Sequence, residues 1–153
     1  MNQQTNAGYF KAISVLFTAL LAGQIIFLGF SMVLVFTGSF KSSMPQAENI
    51  FFILVPVLII AGRISGTTIY KKKLQQALGA LTLAEKLNLY RSTFITRCAL
   101  LEGPVMFAII TFLLTNRVEL LLFAAGGLFL FYRLKPTLEK VANELQIASG
   151  DMG

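Results

Sequence analysis

No histidine occurs anywhere in these 153 residues, and cysteine occurs once. The first absence excludes imidazole-ligated zinc and haem, Ser-His-Asp and Cys-His triads, and histidine general acid-base catalysis. The second leaves Cys98 with no thiol for an intramolecular disulfide, a metal cluster or a redox pair. No catalytic residue, cofactor or metal is therefore expected, and the chain is not read as an enzyme. Charge is scarce as well: 13% of the residues are charged and 56% are hydrophobic, with 14 phenylalanines and a mean hydropathy of +0.73. A soluble domain carries about a quarter of its residues as charge to cover its core. This composition excludes one and points to a fold solvated by lipid.

Four apolar runs are present, at residues 12–36, 50–62, 98–115 and 120–132. A helix needs about 20 residues to cross the hydrocarbon of a bilayer. The first run has that length and exceeds the roughly 7 to 15 residues of a cleaved signal's apolar region. The second and fourth reach it with their flanks, Arg63 and Arg133 extending their guanidinium groups to the interface. The expected fold is all-α: one integral membrane domain, a four-transmembrane-helix bundle with spans at about 12–36, 50–70, 92–115 and 118–134.

Basic residues set the orientation, because they collect on the cytoplasmic side. With the N-terminus inside, that side holds Lys11, Arg63, Lys71, Lys72, Lys73, Lys86, Arg91, Arg97, Arg133, Lys135 and Lys140. Only Lys41 and Arg117 fall outside. A bacterial inner-membrane protein with both termini in the cytoplasm is expected, its net charge of +6 facing anionic lipid headgroups. Leucine and isoleucine interrupt the basic residues along helix extensions, so nucleic acid is not an expected partner.

Between the second and third runs the pattern stays helical. Leu74, Ala77 and Leu78 continue a stripe, Gly79 suits a helix end, and Thr82-Leu83-Ala84-Glu85 has the form of a capping box. Leu83, Leu87, Tyr90 and Phe94 then recur at three- or four-residue spacing. The spacing predicts a long antiparallel hairpin with its tip at about 71–91 and its turn near residues 79–81, extending into the cytoplasm. In the tail, residues 135–153, Pro136 is placed in the first turn of a short amphipathic helix carrying Leu138, Val141 and Leu145 on one face. That face packs on the hairpin, lies on headgroups or docks a partner protein. Residues 37–49 read as a short outside loop broken by Pro45.

Glu102 is the outstanding polar residue, because a carboxylate inside a span is costly and faces the protein interior. Pro104 removes the donor for the Leu100 carbonyl, and Gly103 permits close approach, which together suggest a kink and a polar pocket. Placed four residues past Cys98, Glu102 is expected about 6 Å into the span. A turn near residue 80 sets Arg63 opposite Cys98, within reach, and a buried Glu102–Arg63 ion pair is expected. The alternative is a Glu102 that exchanges protons or cations. Gln24, deeper in the first span, is expected to make an interhelical hydrogen bond, and Thr18 to bond its own helix. Gly62-x-x-x-Gly66 and Gly126-Gly127 are expected helix-packing positions, within the chain or between copies of it. Pro56 is expected to bend the second span.

The stretch from Arg97-Cys98-Ala99-Leu100-Leu101-Glu102-Gly103-Pro104 to Ile110, followed by Leu113-Leu114-Thr115-Asn116, resembles a family of short, uncharacterised four-span bacterial membrane proteins. The tail segment Leu134-Lys135-Pro136-Thr137 is similar to theirs too. That resemblance implies a fold and no activity. More remotely, the second and third spans resemble the helical hairpin of rotary ATPase proteolipid (c) subunits, with Glu102 in the position of their ion-binding carboxylate. Gly62 and Gly66 do not make the dense glycine repeat of such a hairpin, and Arg63 would neutralise the site. The leading expectation is a non-enzymatic accessory or assembly component of a membrane complex. A small proton- or cation-translocating protein using Glu102 is the alternative.

Overall fold

The computed structural model describes residues 3–44, 46, 48–79 and 82–146, and the described elements are all helical. The helices are α1 (Gln3–Phe36), α2 (Glu48–Leu78), α3 (Leu83–Thr115), α4 (Val118–Tyr132) and α5 (Leu138–Leu145). Three stretches are long and apolar enough to cross a membrane: Gly8–Phe36, Asn49–Leu78 and Leu83–Thr115. Helix α4 is apolar but has 15 residues, a length of about 22 Å against the roughly 30 Å of a hydrocarbon core.

Helix α3 is the axis of the molecule, packing against α1, α2 and α4. Its sequence explains why. Leu87, Tyr90, Phe94, Cys98, Leu101, Val105, Ala108 and Phe112 are buried at three- or four-residue intervals, whereas α1 buries only a narrow stripe through Ile13, Phe17, Gln24 and Ser31. The rest of α1, with Val15, Ile26 and Val33 uncovered, presents apolar surface outward, the arrangement a lipid solvent permits.

Local signals set the helix ends. Thr82 is the N-cap of α3, its hydroxyl accepting from the Glu85 amide at 3.3 Å. At the far end Asn116 closes α3 in the left-handed conformation, φ 57°. The hairpin turn falls between Leu78 and Leu83; Ala80 and Leu81, where it was predicted, lie outside the described residues, as does Pro45. The first part of the α1–α2 connection, residues 40–44, is bonded to the end of α3. The Leu114 carbonyl accepts from the amides of Ser43 and Met44, and Asn116 Nδ2 donates to the Phe40 carbonyl.

The tail helix begins at Leu138, two residues later than the sequence suggests. Thr137 is the N-cap, accepting from the Lys140 amide at 3.3 Å, so Pro136 precedes the cap instead of occupying the first turn. Val141, Ala142 and Leu145 form the buried face, and Leu138, predicted to join them, is 43% exposed. At about 100° per residue 138 shares the face of 141, 142 and 145, so its exposure goes with its place as the first residue of α5 and not with rotation about the helix axis.

Candidate functional site

All five helices converge on one cluster near the hairpin end of the bundle. Tyr70 of α2 and Tyr90 of α3 meet edge to face at 6.2 Å, and both donate hydroxyl hydrogen bonds to Oε2 of Glu144 on α5. The Tyr90 bond is 2.9 Å long. Tyr90 stacks on Phe94 at 6.4 Å, Phe94 meets Phe17 of α1 at 6.3 Å, and Phe17 stacks on Phe131 of α4 at 5.3 Å with the rings 7° from parallel. Arg97 lays its guanidinium over the other side of this group, 4.3 Å from the Tyr70 ring centroid. Arg97 as a whole is half-buried. Its Nε is buried with no hydrogen-bond partner.

The chemistry is that of a strap. A carboxylate that accepts two phenolic hydroxyls in a partly dry setting gains charge-assisted hydrogen bonds worth about 1.5–3 kcal/mol each. Both tyrosines are buried, with Tyr90 1% exposed. Helix α5 is thereby fastened to both arms of the hairpin through one side chain. Among the described residues no three His, Cys, Asp or Glu side chains come together as a metal-binding group.

Glu102 and Arg63 are not brought together. Gly62 faces the Leu100 carbonyl and the Pro104 ring, and Gly66 faces Arg97, so the side of α3 that meets α2 runs through 97, 100 and 104. Glu102 is two residues past Leu100, about 200° around the helix, and points away from α2. Among the described residues the charges acting on Arg63 are those of Arg97 and Arg133, and no carboxylate pairs with it. Arg63 and Glu102 lie at neighbouring levels of the hairpin but on different sides of α3.

Gln24 also departs from expectation. Helices α1 and α3 run parallel, with Phe17 beside Phe94 and Phe36 beside Phe112. The offset is thus 77 residues at one end and 76 at the other, which sets Gln24 level with Leu101 and next to the level of Glu102. The Gln24 side chain is 1% exposed, and neither its Nε2 nor its Oε1 has a hydrogen-bond partner. Thr18 bonds the Ser14 carbonyl of its own helix at 2.8 Å.

Of the glycines, Gly62, Gly66 and Gly127 lie in interfaces. A Cβ on Gly62 would strike the Leu100 carbonyl oxygen, and one on Gly127 would come within 2.7 Å of Val105 Cγ2. Gly126 and Gly103 face open space. The close approach expected of Gly103 beside Pro104 is made instead by Gly62 across the interface.

The chain matches no family model, no curated protein and no solved structure.

The strap went unpredicted because its bonds join residues 54 and 74 apart in the sequence. One signal was available: Tyr70 and Tyr90 stand at equal distances from residue 80, so a hairpin turning there pairs them. Glu144 carried no comparable mark.

Proposed function

We propose that this is a non-enzymatic, four-span protein of a bacterial inner membrane that serves as an accessory or assembly component of a membrane complex, its cytoplasmic hairpin forming the partner-binding part. The observation that carries this reading is the Glu144 strap. An eight-residue helix and two buried tyrosines serve to hold the hairpin and tail together, which suits a projecting element that must keep one shape for a partner. Because α5 turns its apolar face inward, the docking surface is the polar exterior, where Lys71, Lys72, Asn88, Arg91 and Ser92 are exposed. The positive-inside distribution supports a cytoplasmic placement for this end and for both termini. Helix α4, extended by its flanks to about residue 134, makes the fourth crossing. Affinity purification from native membranes in mild detergent tests the reading. A reproducible stoichiometric protein partner or homo-oligomer is expected, and a lone monomer would count against it.

One observation favours a second reading, a small proton- or cation-translocating protein. Gln24, buried and without a hydrogen bond, stands level with Leu101 and hence beside the level of Glu102, so two polar side chains share one depth in apolar surroundings. Liposomes carrying wild type and Glu102→Gln decide it, equal proton and sodium flux removing the proposal.

A further inference from the structure

Helices α2 and α4 run in the same direction and meet at two levels. Phe52 meets Phe123 edge to face at 6.3 Å, and Ile59 Cδ1 lies 3.5 Å from where a Cβ on Gly127 would stand. One turn past Ile59, on the same face of α2, Arg63 comes level with Phe131, two residues short of Arg133. Arg97 and Arg133 are the charges close enough to act on Arg63. Among the described residues no carboxylate is among the charges acting on Arg63. Arg63 thus has like charge on either side, and an anion shared with Arg133 relieves that repulsion.

Below the arginines, along the same two helices, runs an open apolar groove of about 310 Å³, lined by Pro56, Ile59 and Ile60 from α2 and by Leu122, Gly126 and Phe129 from α4. Gly126 leaves its floor open, since a Cβ there meets nothing within 4 Å. Groove and arginines are continuous: the Arg133 guanidinium lies 6.0 Å from the Phe129 ring centroid, at the groove's end. Leu122 is 73% exposed and Ile60 58%, so the groove opens sideways, away from the bundle.

We propose that this groove seats an acyl chain of an anionic phospholipid whose phosphate is held between Arg63 and Arg133. The charge pattern selects this occupant. A zwitterionic lipid offers the same chain but no net charge to offset the arginines, and a second copy of the protein related by a two-fold axis would bring its own arginines toward these. The apolar length and the charged end match the two parts of a phospholipid in the order they have in a leaflet. This site is independent of the assembly role proposed above and deepens only the general expectation of anionic headgroups at the basic face.

The test uses delipidated full-length protein in detergent micelles, titrated with phosphatidylglycerol, phosphatidylcholine or glycerol phosphate, bound lipid being read by native mass spectrometry. Wild type is expected to hold one phosphatidylglycerol about tenfold or more tightly than phosphatidylcholine, and the Arg63→Gln, Arg133→Gln double variant to lose that preference. Gly126→Leu, which places a side chain in open space, is expected to weaken both lipids with the helical circular dichroism unchanged. Equal affinity for the two lipids, glycerol phosphate binding as tightly as phosphatidylglycerol, or a dimer without lipid that Gly126→Leu dissociates would each overturn the proposal.

Discussion

The carbonyl oxygen of Leu100 rests against the backbone of Gly62. Pro104, one turn further along α3, has no amide proton to give that carbonyl, and its ring lies 3.0 Å from where a Gly62 Cβ would stand. The proline therefore leaves an acceptor exposed in apolar surroundings, and the glycine lets the neighbouring helix cover it, a Cα–H group facing the oxygen.

Gly62→Ala should lower the unfolding free energy in detergent by about 1–3 kcal/mol, because the added methyl collides with backbone that cannot rotate aside. That loss exceeds the gain of about 1 kcal/mol in helix propensity. Gly126→Ala receives the same gain with open space around it, and should be as stable as wild type or up to about 1 kcal/mol more so. Denaturant unfolding followed by circular dichroism compares them. Equal behaviour of the two variants would mean that α2 and α3 do not meet at Gly62.

Gln24→Leu should stabilise the protein by about 1–3 kcal/mol, since it removes a buried amide with neither atom hydrogen-bonded and keeps a similar volume. The same unfolding assay reads it. A loss of stability would show that the amide has a partner in the membrane-embedded protein, and would strengthen the ion-translocation reading.

Cys98 is fully buried, so the native protein should react with a maleimide only after denaturation. With Cys98 changed to alanine, single cysteines at exposed Ser39 and Gln75 report on opposite ends of the bundle. In spheroplasts an impermeant maleimide should label Ser39→Cys at once and Gln75→Cys only after the membrane is opened. The reverse order would invert the proposed topology.

Much of the fold is legible in the sequence because its signals are local. Apolar run lengths mark three long helices, Thr82 and Glu85 announce the start of α3, and the stripe Leu83–Leu87–Tyr90–Phe94 carries the hairpin past the apolar segment. Relations that depend on how one helix is rotated or shifted against another are not legible. Arg63 and Glu102 lie at neighbouring levels but not on one face, because two positions along α3 turn a side chain to its far side. Gln24 and Glu102 share a level that no count from the N-terminus gives, because only the Phe17–Phe94 and Phe36–Phe112 contacts set the register of α1.

Central to this account is that Glu144 makes hairpin and tail one unit. Amide hydrogen exchange across Leu138–Leu145, measured in lipid nanodiscs for wild type and for the Tyr70→Phe, Tyr90→Phe variant, tests that most directly. Removing both hydroxyls takes away two hydrogen bonds to a charged acceptor, and exchange in α5 should quicken by about tenfold or more while the core of α3 stays protected. Unchanged exchange in α5 would contradict the account.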